Sequence, residues 1–217
     1  SDLGLGKRIS TITQSLSADT VIKTFNDYQI FEKNEVNFIK SGREWYGDAF
    51  DLVDSREYNF SFPNLVGSVS MRAVFAARAT SPYNSSFTVK SSGFNPETYT
   101  VSPVSGNYNY ANLISIEKVF TPNVDNFNLS VEFNSNSSTA NGWVDYIQIN
   151  AIRELSMIGS QMNFRSLSSV EPNSVSEFEL TNSNSSLTIW DVSHALDPQR
   201  LVYDIDGSII RFSACLL

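Results

Sequence analysis

Period-two alternation constrains this chain more than any other feature. Over 127–133, Phe127, Leu129, Val131 and Phe133 alternate strictly with Asn128, Ser130 and Glu132. Successive strand side chains point to opposite faces, so this pattern is a strand with one buried and one wet face, as antiparallel sheets have. Tyr58, Phe60 and Phe62 repeat it, with Asn59 and Ser61 between them. Over 69–77 the odd positions Val69, Met71, Ala73, Phe75 and Ala77 form one apolar face. Ser70 and Arg72 hold the other face, which turns apolar at Val74 and Ala76. Further strands are predicted at 21–25, 28–31, 86–90, 98–102, 113–120 and 143–152. No segment keeps a helical period over about eleven residues. Short helical turns are predicted only near 40–50 and 193–199.

Composition agrees with this pattern. The 217 residues include 15 Phe, 9 Tyr and 3 Trp, enough for a core. A chain of this size buries about 70% of its unfolded surface. Charged residues are only 18%, and 34 Ser and 21 Asn replace them, about a quarter of the chain. Such residues suit turns and polar strand faces better than helix interiors. The net charge of -8 and pI of about 4.6 exclude a basic nucleic-acid surface. No apolar run is long enough to predict a transmembrane segment. One Cys and one His exclude an internal disulfide, thiolate clusters and multi-His metal sites. No signal-peptide pattern opens the sequence, and it closes abruptly on Cys215-Leu216-Leu217, so an internal fragment of a longer protein is expected.

The predicted fold class is all-β: an antiparallel, jelly-roll-like β-sandwich over 40–153, then a smaller β domain over 154–217. Residues 1–39 read as an N-terminal extension or the tail of a preceding domain. Strands in the smaller unit are predicted at 162–167, 176–181, 187–192, 200–205 and 208–214. The polar run 134–142 reads as a hairpin loop, 93–96 as a break, and Asp206-Gly207 as a type I′ hairpin turn.

Catalytic candidates are few. Cys215 as nucleophile would need His194 as base, with an orienting group and an oxyanion hole. No Gly-rich turn follows it, so a small buried hydrophobe and a loop histidine are expected instead. Glu44, Asp48, Asp51 and Asp54 cluster around Trp45 and Tyr46. A solvated acidic loop is the simplest reading; a structural calcium ion or a glycosidase carboxylate pair are the alternatives. No other cofactor is expected. Trp45, Tyr46 and Asp48 are the candidate ligand-binding residues, because an aromatic face beside polar groups holds sugars. The competing reading places Trp45, Trp143 and Trp190 in the core.

Four segments in order carry a family resemblance. They are Thr24-Phe25-Asn26-Asp27-Tyr28-Gln29, Lys40-Ser41-Gly42-Arg43-Glu44-Trp45-Tyr46-Gly47-Asp48, Gly142-Trp143-Val144-Asp145-Tyr146-Ile147-Gln148-Ile149-Asn150 and Ile189-Trp190-Asp191-Val192. Together they resemble the region ahead of the peptidase domain in PorU-like proteins, with Ser-Gly-Arg-Glu-Trp-Tyr-Gly the most specific part. These are surface sortases of the type IX secretion system in Bacteroidetes, related to gingipain cysteine peptidases. The resemblance implies an outer-membrane-associated endopeptidase that trims the secretion signal of cargo and helps attach cargo to surface lipopolysaccharide. The family's catalytic Cys and His belong to a caspase-like α/β domain. No α/β alternation occurs here, so no catalytic residue carries over. The expectation is a non-catalytic region at the cell surface. Its partners would be the peptidase domain of the same parent chain and possible secretion-system components or surface glycan. A carbohydrate-binding β-sandwich module is the alternative.

Overall fold

The computed structural model describes residues 8–13, 17–40, 42, 44–51, 53–105, 109–170 and 174–215, with Cys215 described by its backbone alone. The chain divides into two compact units, Asp27–Ile152 and Ser1–Asn26 together with Arg153–Leu217. Its strands are β1 (Ser10–Ile12), β2 (Thr20–Ile22), β3 (Thr24–Glu32), β4 (Ser55–Ser61), β5 (Val69–Arg78), β6 (Ser85–Ser91), β7 (Phe94–Val101) and β8 (Asn112–Phe120). They continue with β9 (Asn126–Ser135), β10 (Asn141–Glu154), β11 (Val175–Leu180), β12 (Ile189–Asp191), β13 (Gln199–Leu201), β14 (Asp204–Asp206) and β15 (Ile209–Cys215). One 3-10 turn, Leu167–Ser169, is the only helical element among the described residues.

The central unit is a β-sandwich of two four-stranded sheets, ordered β3-β10-β5-β8 and β4-β9-β6-β7. Counted from β3, these are strands 1-8-3-6 and 2-7-4-5, the jelly-roll order. The alternation read from sequence sets the core. Val69, Met71, Ala73, Phe75 and Ala77 of β5 meet Phe127, Leu129, Val131 and Phe133 of β9, Tyr58 and Phe60 of β4, and Phe87 and Val89 of β6. Phe87 is fully buried, with ring centroids 4.7 Å from Phe75 and 5.1 Å from Phe133. In β10 the register slips at Asp145, between Val144 paired with Phe75 and Tyr146 paired with Val74. One extra residue reverses the alternation. Val144 faces the core before the bulge, and Ile147, Ile149 and Ala151 face it afterwards.

The other unit is built from shorter pieces. One sheet runs β14-β15-β11-β2 and the other β1-β13-β12. Phe178 and Phe212 stack with rings 5.2 Å apart and 4° from parallel. Ile22, Phe25, Leu155, Leu180, Ile189, Leu201 and Ile210 are buried around them. Arg153 lies 5.0 Å over the Phe25 ring.

Several expectations change here. Ser10–Ile12 and Thr20–Ile22, placed by sequence in an extension, pair in parallel with β13 and β11 respectively. Segment 162–167 is not a strand; Phe164 packs on the Phe178 and Phe212 rings from an irregular stretch. The predicted strand 200–205 is two strands, β13 and β14, in different sheets. The predicted break at 93–96 shrinks to a turn at Ser92-Gly93, with β7 starting at Phe94. No helical turn forms in the described part of 40–50. In the last hairpin Asp206 pairs with Ile209, so the loop is Gly207-Ser208. Gly207 has φ +60 and Ser208 is not in the left-handed region, the pattern of a type II′ turn, with Gly first.

Candidate functional site

The aromatic, acidic segment around Trp45 is joined to the sandwich by its backbone. Tyr46 and Val36 form a bridge in which the N–H of each donates to the other's carbonyl at 2.8 Å. Beyond Tyr46 the chain takes the place of a strand beside the first residues of β10. Gly47 N–H donates to the Val144 carbonyl at 2.7 Å, and Phe50 N–H to that of Gly142 at 2.8 Å. A Cβ at Gly47 would sit 3.0 Å from the Lys33 Cβ and 3.1 Å from its carbonyl, so glycine permits this approach.

Tyr46 is a packing residue. It is buried with Trp143 and Ala76, and Phe38 lies between ring contacts of 5.2 Å to Tyr46 and 4.7 Å to Trp143. This satellite core explains why the outer face of β5 turns apolar at Ala76. Burial pushes the Tyr46 phenol up to about 12, and the Glu44 and Asp145 carboxylates add to the shift. Asp145, the bulge residue, is itself raised, first by burial and then by Glu32 and Glu44.

Asp48 is engaged by several groups. Lys33 Nζ lies 2.6 Å from Oδ1, Arg56 lies 3.9 Å from Oδ2, and the Tyr58 hydroxyl donates to Oδ2 at 3.4 Å. Arg56 also donates from Nε and an η nitrogen to the Ala49 carbonyl, at 3.0 and 2.7 Å. Burial, then the Asp48 charge, raises the Tyr58 phenol. These bonds hold the segment on the sandwich. Of the three ligand-binding candidates, only Trp45 is open, at 40% exposed.

Other sequence candidates lie apart from it. Asp51 and Asp54 are exposed, and Asp54 accepts from the Phe133 N–H through its carbonyl. Ser41 and Arg43 lie outside the described residues. Among the described residues no group of three or more His, Cys, Asp or Glu could hold a metal. His194 is exposed in the other unit, where its carbonyl accepts from Asp197 N–H at 2.9 Å. The Cys215 backbone pairs with Val175, and its side chain lies outside the described residues. Trp143 is core, whereas Trp190 is 56% exposed.

Sequence reasoning missed one feature. A groove of about 390 Å³ opens over β4 and β9, lined by Gln29, Asn59, Ser61, Asn126 and Asn128 with Phe60 and Phe127. Asn59 lies opposite Asn128, and Ser61 opposite Asn126. Gln29 of β3 closes one side: its amide donates to the Ser61 carbonyl and accepts from the Ser61 N–H at 3.2 Å. The signal was the wet half of the alternation, which reads in sequence only as solubility.

The fold defines a class: an all-β protein with a jelly-roll sandwich and a second, smaller β unit. No family model matches the chain, and no curated protein matches it. Among solved structures, dimeric latent PorU from Porphyromonas gingivalis superposes with a TM-score of 0.79 at 17% identity, covering 96% of this chain and 20% of that one. The fold is therefore PorU-like, and the chain spans about a fifth of that protein's length. The Cry4Aa toxin from Bacillus thuringiensis matches 46% of this chain at a TM-score of 0.36 and 15% identity, covering 18% of the toxin chain, too distant to argue a shared fold. No helix among the described residues is long and apolar enough to cross a membrane.

Proposed function

We propose that this chain is a non-catalytic, β-rich accessory region of a cell-surface cysteine endopeptidase of the PorU-like sortase type. In this reading it supports or orients a peptidase domain of the same parent chain, at the outer-membrane surface, where type IX secretion cargo is processed. The observation that carries the reading is the superposition over 96% of the chain. The four motifs in family order add to it. Three of them are strand-forming, and the fourth ties the 46–50 segment to β10, so their residue types suit a rigid scaffold. His194 lies exposed in a turn of the smaller unit, where its carbonyl accepts from the Asp197 N–H. The test is cleavage of cargo-tail peptides by this chain alone and by the parent protein. Cleavage by the parent only is expected. Cleavage by this chain, abolished by Cys215→Ala, sinks the proposal.

A second reading, a sugar-binding surface at Trp45, is favoured by the exposure of that ring. Glycan binding lost in Trp45→Ala, with the fold intact, is its expected signature.

A further inference from the structure

We infer that the groove over β4 and β9 is a binding site for a neutral saccharide. It lies apart from the Trp45 segment and does not depend on the accessory-region reading. Its polar lining is four carboxamides and one hydroxyl, Gln29, Asn59, Asn126, Asn128 and Ser61. No Lys, Arg, His, Asp or Glu lines it among the described residues, and the carboxylate at its border, Glu57, is bonded to Asn128 and disfavours an anion. An amide offers two donors and an acceptor with two lone pairs, and a sugar hydroxyl is both donor and acceptor. Uncharged groups of mixed polarity therefore fit hydroxyls better than they fit phosphate or carboxylate.

The chain's own bonds hold these groups but leave much of their capacity open. Asn128 donates from Nδ2 to the Glu57 carboxylate at 2.7 Å, leaving its Oδ1 as an acceptor. The Ser61 hydroxyl donates to Asn126 Oδ1, leaving the Asn126 Nδ2 hydrogens. The Asn59 amide has no partner within the chain among the described residues. Gln29 is fixed by both bonds to the Ser61 backbone. Donors and acceptors thus alternate over a rigid surface. Neighbouring strands are about 4.8 Å apart and same-face residues about 6.8 Å apart, roughly the footprint of one sugar ring. Polar groups set on strands hold their positions better than groups on loops. The groove volume of about 390 Å³ lies in the range of small-molecule sites and would take one or two rings. The Phe60 and Phe127 rings are buried in the core, so no ring is left to stack on the sugar. Affinity must come from hydrogen bonds, which sets it at roughly millimolar for one site.

The test is a backbone NMR titration of the 217-residue chain with cellobiose, mannobiose and N,N′-diacetylchitobiose. Glucuronic acid and a neutral hexapeptide serve as comparison ligands. At least one neutral disaccharide is expected to shift the amides of Asn59, Ser61, Asn126 and Asn128 saturably. The Asn59→Ala/Asn128→Ala double variant should bind about tenfold more weakly or worse, with an unchanged unfolding midpoint. Asn59→Gln, which keeps the amide, should retain more binding than Asn59→Ala. Trp45→Ala should leave the titration unchanged. The inference is overturned if no neutral disaccharide shifts these residues, or if the double variant binds as well as the parent. Preferential binding of glucuronic acid or the peptide at the groove overturns it too, as does loss of binding in Trp45→Ala.

Discussion

The two units share a chemistry but differ in how they are assembled. Among the described residues, the sandwich of Asp27–Ile152 encloses 22 buried core residues between strands of seven to fourteen residues. The unit of Ser1–Asn26 and Arg153–Leu217 has ten among its described residues, and five of the seven strands described there are only three residues long. Its sheets are completed by segments far apart in sequence, Ser10–Ile12 beside Gln199–Leu201 and Thr20–Ile22 beside Ser176–Phe178. Long strands bury enough surface on one face to specify their register locally. Three-residue strands cannot, and depend on whatever the rest of the unit offers as an edge. Ion pairs are common to both: Lys118 and then Tyr99 hold the Glu97 carboxyl low in the sandwich, and Lys23 and then Arg211 hold Glu179 below its ordinary 4.5 in the other unit.

The strongest challenge to this contrast is truncation of a central ring. Phe87→Ala should cost about 3–5 kcal/mol, the range for a fully buried phenylalanine. Phe178→Ala should fall at the lower end of that range, because a smaller core with short strands relaxes into the cavity more readily. Equilibrium urea unfolding measures both, and equal costs would mean the two cores are equally rigid. Overpacking comes next. A Cβ at Gly142 would lie 2.6 Å from the Phe133 ring, so Gly142→Ala should cost about 1–3 kcal/mol in the same assay.

Titration of one group in each unit acts with opposite sign. The folded Tyr46 keeps its proton up to about 12, while an unfolded tyrosine releases it near 10.0. The sandwich should therefore lose stability as pH rises between these values. Tyr46→Phe should flatten that loss in a pH series of thermal unfolding. Glu179 behaves oppositely. Its ion pairs support the fold above 4.5 and are lost as pH falls through its lowered folded value. Glu179→Gln should make the acid limb shallower, and an unchanged limb would place the acid sensitivity elsewhere. The smallest effect is expected at Trp190→Ser, within about 0.5 kcal/mol, because that ring is exposed.

The sandwich was largely legible in the sequence because β-alternation is a local signal. Predicted strands at 58–62, 69–77, 86–90, 113–120, 127–133 and 143–152 overlap β4, β5, β6, β8, β9 and β10. In the other unit the outcome was mixed: predicted strands at 21–25, 187–192 and 208–214 overlap β2, β12 and β15, while other segments were missed or misread. Residues 10–12 gave no signal, and 162–167 alternates without an edge to join. The site was less legible. Trp45 and Tyr46 are adjacent and chemically alike, yet one is open and the other buried beneath Phe38. No spacing rule separates them, because the difference comes from the bridge to Val36 and the approach of Gly47 to Val144.

By itself, the amino-acid sequence determined the all-β class and the inward and outward faces of the long strands. Those properties follow from neighbours two residues apart or from counting residue types. Tertiary structure decided the jelly-roll strand order, the pairing of Ser10–Ile12 and Thr20–Ile22 with strands near the chain's other end, and the Asp145 bulge that reverses β10. It also placed Gln29, Ser61 and Asn126 around one groove. These depend on which edges and cavities remain once the long strands have packed, and that energy belongs to contacts between residues tens to nearly two hundred positions apart.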